Sequence, residues 1–535
     1  MAGQGAIGVT RRDWLIGAAV ALVSLFIYMN SLSNGFALDD IPIIEENRQI
    51  GSLSNIPRFF HRDYFAPSGR VGLYRPLEIS SYALTVAVAG DGPLAFHAIN
   101  VALHALNTVL LLLLVLRLTG DRLLAAGTGF LFAAHAVHTE AVATVTLGRP
   151  ELMAALFGLL TIHLWMTARR TEAPRATIAY GASLATFGLG LLSKEAAISL
   201  LGVVVLVDWL YAQDAPPPSV RGVGSNLWAG SGRYLGLAMV ATAYIGARLL
   251  ALGEQVMPPV PFVDNPLGVL PHGWRLVNAA LVALRYGVLL VFPLKLCSDY
   301  SFDTIPLVRS LDDPALLLGL PVLLSLAFSF VWSYRRDRAI FFGLGFMVVT
   351  FSVASNAVVP IGTILGERLL YLPSAGFCVV LARVVQRMVA FLPGSDAHRL
   401  VACVAVLAVA TGLHGVRAVL RNPVWHDDHT LHLHEVEVHP TSVKLQSNAG
   451  ASHWELGRPE RALAHFEAAI APGITPGLYL EPFQGKVRAL ADLGRWQEAR
   501  TLYDYVIRFG PRNLEVEQQI ADAAKAALSK DDEGQ

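Results

Sequence analysis

Apolar runs close to membrane-crossing length recur along this chain, separated by short polar stretches, and they predict helices over most of its length. A helix needs about 20 apolar residues to cross a bilayer. Twelve runs approach that: 14–30, 94–116, 122–143, 150–168, 176–192, 196–211, 232–252, 275–293, 314–334, 339–359, 369–391 and 399–418. After Leu420 the pattern changes. The run Leu456-Gly457, Ala462 and Phe466 returns as Leu493-Gly494, Ala499 and Tyr503, each 37 positions further on. Small-then-aromatic spacing of this kind predicts tetratricopeptide helical pairs, whose usual period is about 34. The loop Ala471 to Gly477 accommodates the extra residues, and Pro440 and Pro511 fall where such units end. A half-unit, 424–438, leads into the array. Each unit buries its apolar face only against a neighbour, so this short array is expected to dock on the membrane region or on a protein partner.

Positive charge orients the spans, because cytoplasmic loops are rich in Lys and Arg. Arg117 to Arg122, Arg169 to Arg175, Arg335 to Arg338 and Arg383 to Arg387 mark one side. Arg11 and Arg12 precede the first run in the manner of a signal peptide. No small-residue cleavage site follows, so the run reads as a retained span with its basic end in the cytoplasm. If all twelve runs crossed, loop 294–313 would fall on both sides at once. The repair is that 275–293, with Arg275, Asn278 and Arg285, lies in the outer interface. About eleven crossings remain, with the C-terminal region outside. The expected organisation is an all-α polytopic membrane domain, 1–420, with a large outer loop 31–93, followed by a helical-repeat domain, 421–535.

Composition agrees. The 535 residues are 54% hydrophobic and 15% charged, against about 25% charged in ordinary soluble proteins. Lys plus Arg and Asp plus Glu stand at 41 each, so no basic excess points to nucleic acid. Cys297, Cys378 and Cys403 form neither a CxxC pair nor a disulfide framework.

With this topology the ionisable residues collect on the outer side. Asp39 and Asp40 open loop 31–93, which also holds Arg75. The junction of the third and fourth runs brings His135, His138, Glu140, Arg149 and Glu151. Lys194 lies at the next outer turn, and Glu367 and Arg368 precede the run at 369. Charges at span ends are costly to keep without a use, and four stretches distant in sequence converge on one side.

Several ordered motifs carry a resemblance: Asn34-Gly-Phe-Ala-Leu-Asp-Asp40, Tyr74-Arg-Pro-Leu77, Phe96-His-Ala-Ile-Asn100, His138-Thr-Glu-Ala-Val142 and Gly148-Arg-Pro-Glu-Leu152. Further along come Ser193-Lys-Glu195, Asp299-Tyr-Ser-Phe-Asp303, Glu367 to Gly376, and Trp425 before the repeats. Together they resemble the transmembrane and tetratricopeptide-repeat O-mannosyltransferases and their bacterial relatives, which are similar to the GT-C glycosyltransferase superfamily. Leu38 departs from the pattern, since an aromatic is commoner before the acidic pair, and the repeat array is short. The resemblance implies an enzyme that moves a sugar, mannose in the family, from a polyprenyl-phosphate-linked donor to protein Ser or Thr hydroxyls on the extracytoplasmic side. Its partners are the lipid-linked donor, an acceptor protein or peptide, the bilayer and a protein on the repeats. Modest size and few repeats favour a bacterial inner membrane over the endoplasmic reticulum.

Displacement at a sugar C1 needs a base for the acceptor hydroxyl and stabilisation of the departing phosphate. Asp39 and Asp40 are the catalytic candidates. The related enzymes favour the first acidic residue as base, and an N-cap before Ile41-Pro42 is the structural alternative. Neighbouring like charges should push one pKa upward. Lys194, Arg368, Arg149 and Arg75, in that order, are candidates for the donor phosphate. His135, His138, Glu140, Glu151 and Glu367 are candidates for orienting substrate. His135 and His138 share a helical face and offer half of a zinc site, but no third ligand follows by spacing and no metal or other cofactor is expected. His426, His429, His432, His434 and His439 read as a solvated helix face.

Two other classes compete. A non-catalytic membrane scaffold presenting the repeats for protein interaction predicts no phenotype for Asp39→Asn or Asp40→Asn. A transporter would place polar residues near the midplane and break helices in matching halves, whereas here the charges sit at span ends.

Overall fold

The protein is described by a computed structural model over residues 9–66, 72–211, 231–256, 259–471 and 473–510, with Gln518 and Ile520. Pro511 and the rest of the expected repeat domain beyond it lie outside these residues. The described chain is helical and contains no strand. Its longer helices are α1 (Arg11–Tyr28), α2 (Pro76–Ala89), α3 (Pro93–Thr119), α4 (Arg122–Ala134), α5 (Arg149–Arg170) and α6 (Arg175–Ser193). Then come α7 (Leu200–Tyr211), α8 (Ser231–Leu252), α9 (His272–Val291), α10 (Pro314–Arg336), α11 (Arg338–Phe351), α12 (Pro373–Ala390) and α13 (Asp396–Arg421). The C-terminal set is α14 (Asp428–Val438), α15 (Val443–Glu455), α16 (Pro459–Ile470), α17 (Glu481–Asp492) and α18 (Trp496–Val506).

Nine helices among the described residues are long and apolar enough to cross a membrane: α1, α3, α5, α6, α8, α9, α10, α12 and α13. The chain is an integral, multi-pass membrane protein. Every apolar run contains a helix, but three are shortened by polar interruptions. Run 122–143 ends as a helix at Ala134, where His135 turns extended and its Nδ1 accepts from the Val137 N–H. Run 196–211 opens with a tight turn, 195–199. Run 339–359 stops at Phe351, ahead of Asn356, whose φ is 59°. Conversely, α2 is an apolar helix of 14 residues inside loop 31–93. Helix α9 is span-like in length and hydropathy, so neither property supports laying it in the interface.

α3 and α5 form the centre, each 67% buried along its apolar window, whereas α10 is 6% buried and turns Leu317, Leu318, Leu324 and Phe328 outward. Such a helix is suited to face lipid. The Arg-rich stretches gather at one end. Arg122 pairs with Asp13 at 2.7 Å, Arg383 with Asp337 at 2.8 Å and Asp121 at 3.5 Å, and Arg169 with Asp208 at 3.5 Å. All are at the starts or ends of α1, α4, α5, α7, α11 and α12, so the charge pattern identified one face of the bundle correctly.

The C-terminal helices form two hairpins, α15–α16 and α17–α18, whose tight turns place Gly457 and Gly494 at φ 68° and 72°. Ala462, Ala499, Phe466 and Tyr503 occupy their buried seam. A Cβ at Gly450 or Gly485 would overlap the Phe466 ring, which explains why both positions are glycine. The array is docked: Val443 and Phe483 share a core with Val263 and Phe302 of the loops flanking α9. Lys444 bridges Asp264 at 2.9 Å and Asp299 at 3.4 Å. At the junction Arg421 and Glu435 form a fully buried ion pair at 2.6 Å. The histidines of α14 differ from a purely solvated face. His432 bonds Ser452 at 3.0 Å and His439 lies against the Tyr300 ring, because α14 is packed between α15 and the 294–308 loop.

Candidate functional site

At the end of the bundle opposite the Arg-rich face, α1 runs into Asn34–Asp40. The two aspartates are used differently. Asp40 is fully buried and its Oδ1 accepts from the Thr146 N–H and hydroxyl, both at 2.7 Å. Its side chain thus ties this segment to the link before α5, rather than capping the turn 41–45 that follows it. The half-buried Asp39 carboxylate makes none of the hydrogen bonds or ion pairs found among the described residues. It lies within the field of Arg368, Lys444 and Arg75. Burial is the leading cause raising both carboxyls, and mutual repulsion is not the main effect. Asp40 rises to about 6 against its hydrogen bonds from Thr146. Asp39 is also raised, with Arg368, Lys444 and Arg75 opposing and Asp428 adding.

Three cation–carboxylate pairs lie on this side of the bundle, and the cations of two of them, Arg368 and Arg75, act on Asp39. Arg368 pairs with Glu140, whose other oxygen accepts the Arg368 N–H at 2.6 Å. Lys194 pairs with Glu151 in a nearly closed setting, where burial lowers the ammonium pKa against Glu151. Arg75 forks onto Glu195 at 2.9 and 3.2 Å, with Glu78 at 3.9 Å. The pairs are electrically contiguous: Glu151 acts on Arg368, and Arg75 acts on Lys194 and Asp39. Adjacent residues leave a turn in different directions, and Glu367 faces away from Arg368. Its Oε1 accepts from the Cys297 N–H and the Tyr300 hydroxyl at 2.6 Å each. Burial pushes the Glu367 carboxyl to about 8, with Arg421 opposing.

Other expected site residues are built into the scaffold. Arg149 is buried, and its nitrogens donate to Asn100, Phe96 O and Ser81 while it lies over the Tyr82 ring. That geometry commits it to joining α2, α3 and α5 rather than to a ligand. His135 and His138 do not share a helix face, since the backbone breaks between them. His135 bonds Leu290 O at 3.0 Å and His138 bonds the Ser374 hydroxyl at 2.7 Å. Among the described residues no group of three His, Cys, Asp or Glu could hold a metal ion. An open pocket of about 460 Å³ lies beside Gly35 and Phe36, in the segment that leads to the acidic pair, and is lined also by Glu45, Asp91, Pro93, His426 and Asp427.

Sequence reasoning missed Asp428, which binds the residue before the acidic pair, and Lys444, whose charge acts on Asp39 while it pairs with Asp264 and Asp299. Leu38 donates its N–H to Asp428 across 390 positions at 2.6 Å. No local motif announces such contacts.

Comparison with known proteins gives a consistent picture. The family model described as protein O-mannosyl-transferase TMTC, DUF1736, matches residues 255–327. Protein O-mannosyl-transferase TMTC3 of Mus musculus is 26% identical over 539 aligned residues, covering 94% of this chain and 57% of its own length. TMTC4 of Mus musculus is 28% identical over 496 residues, covering 84% of this chain and 65% of its own length. The chain therefore spans less than two thirds of these relatives. Among solved structures, the apo oligosaccharyltransferase of Archaeoglobus fulgidus superposes with a TM-score of 0.45 at 14% identity, covering 77% of this chain and 56% of that one. The resemblance to the TMTC O-mannosyl-transferases carried by the motifs thus extends along most of this chain, and the segment matched by the family model includes the loops against which the C-terminal helices dock.

Proposed function

We propose that this chain is a membrane glycosyltransferase that moves a sugar, mannose by the names of its relatives, from a polyprenyl-phosphate donor to a Ser or Thr hydroxyl of an acceptor protein at the extracytoplasmic face. The observation that carries the reading is the difference between the two aspartates: Asp40 is spent on Thr146, while Asp39 has a free carboxylate beside cations. Asp39 takes the proton of the acceptor hydroxyl as its oxygen bonds to C1 of the sugar. The bond from C1 to the phosphate oxygen breaks, and polyprenyl phosphate departs with the electron pair. Arg368, Lys194 and Arg75 offset the growing charge on that phosphate. Arg368 and Arg75 are the more reachable, since Lys194 and Glu151 are 6% and 8% exposed. Before donor arrives, Glu140, Glu151 and Glu195 balance the three cations. Glu140 and Glu151 orient them, and Glu367 holds the turn that presents Arg368. The repeats on the same side of the bundle suit presentation of an acceptor polypeptide.

Purified protein in lipid, supplied with polyprenyl-phosphate mannose and Ser/Thr peptides, is expected to yield peptide carrying one added hexose by mass spectrometry. Absence of product with polyprenyl-phosphate mannose and glucose alike, from folded protein, overturns the reading.

A further inference from the structure

The segment that delivers Asp39 is stitched to the lead-in of the C-terminal helices. The Asn34 amide donates to Asn422 O at 3.0 Å, the Gly35 N–H to His426 O at 2.8 Å, and the Leu38 N–H to Asp428 Oδ1 at 2.6 Å. At the last stitch Leu38 has φ 54°, a left-handed conformation that L residues avoid by roughly 5- to 30-fold. Leu38 also packs against Trp425, Leu431 and Ala143. A strained residue persists only where its surroundings over-determine it, and such residues cluster at functional sites. The strain sits directly before Asp39, and directly after it Asp40 is anchored to Thr146. The backbone on either side of Asp39 is therefore fixed from two different parts of the molecule.

We propose that Asp428 is a positioning residue for Asp39: by accepting from the Leu38 N–H it holds Leu38 left-handed and so sets the direction in which the Asp39 carboxylate leaves the turn. The C-terminal helical domain thereby arms the base it covers, in addition to any contact with acceptor. This rests on the reading of Asp39 as the base of sugar transfer. Asp428 also contributes negative charge to the field at Asp39, which Arg368, Lys444 and Arg75 oppose.

The test measures transfer by the full chain in lipid for Asp428→Ala, Asp428→Asn, Asp428→Ala with Leu38→Gly, and Asp39→Asn. Asp428→Ala is expected to lower kcat roughly tenfold, by the preference Leu38 then regains, with donor KM within about twofold of the parent. Adding Leu38→Gly, which adopts positive φ without penalty, recovers most of that loss. Asp428→Asn keeps the acceptor oxygen and nearly all of kcat. Its acid limb moves to lower pH, because a negative charge that raised the Asp39 pKa is gone. Parental kinetics in Asp428→Ala, or a loss equal in Asp428→Asn and unrelieved by Leu38→Gly, overturns the inference. If Asp428→Ala does not fold, Asp428→Leu, of similar size but without an acceptor, takes its place, and parental kinetics in it overturns the inference. Transfer retained in Asp39→Asn removes the underlying reading and this inference with it, an outcome distinct from either of the others.

Discussion

Two neighbouring carboxylates differ because of what surrounds each: Asp40 is tied into the fold by Thr146, and Asp39 is left as the base in the proposed reading. Asp40 accepts two short hydrogen bonds and is closed from solvent. Asp40→Ala leaves the Thr146 donors unpaired and is expected to cost about 1–3 kcal/mol of stability, seen as a lower Tm. Asp40→Asn keeps an acceptor toward Thr146 and is expected to retain most transfer. Since the folded Asp40 pKa is raised to about 6, its contribution to stability is fully present below the ordinary carboxylate pKa and lost as pH rises through about 6. The parent Tm should fall by the equivalent of ~2–3 kcal/mol across that window, and Asp40→Asn should flatten the fall. Asp39 must be ionised to act as base, so activity should be lost as pH falls through its raised pKa. The acidic pair and the cations Lys194, Arg368 and Arg75 were legible in sequence because each sits in a short motif at a span end. Their partners were not, since Glu140 with Arg368 and Glu151 with Lys194 come from other helices.

Among the helices, apolar period gave the existence and order of the runs, and polar interruptions decided which became full-length. His135 and Asn356 interrupt apolar runs that composition alone reads as continuous, and the run after Lys194-Glu195 is shortened by the tight turn 195–199. Close packing was less visible. A Cβ on Gly376 would lie 2.2 Å from Gly343 O, and one on Gly343 would lie 2.6 Å from Gly376 O. Small residues let helices approach this closely. Gly376→Ala therefore forces α11 and α12 apart, and overpacking of this kind costs about 1–3 kcal/mol. Because α12 follows the turn that carries Arg368, donor KM should rise together with the fall in Tm. Gly362→Ala, where nothing lies within 4 Å, is the matched control and should change neither.

On the scale of the molecule, the cap and the membrane bundle share their buried contacts. Val436, Leu445 and Ala449 belong to the same core as the spans. The Arg421–Glu435 pair closes the joint with both side chains fully buried. Removing one member of a buried pair costs about 3–5 kcal/mol, whereas replacing both by apolar residues of similar volume is often tolerated. Glu435→Ala should accordingly lower Tm sharply, with Arg421→Met and Glu435→Leu together recovering most of it. Lys444→Ala should raise hydrogen exchange in 294–308, where its partner Asp299 lies. The 37-residue spacing made the helical pairs legible, and their shortness made docking an expectation. Where they dock depended on contacts such as Leu38 with Asp428, which join positions 390 apart and leave no local pattern.

The most direct test of the account is the rate of mannosyl transfer to a Ser/Thr peptide by Asp39→Asn and Asp40→Asn in lipid, each with its Tm measured alongside. Parental Tm and a loss of at least about 100-fold are expected for Asp39→Asn, with transfer largely kept by Asp40→Asn. Undiminished transfer by Asp39→Asn would contradict it.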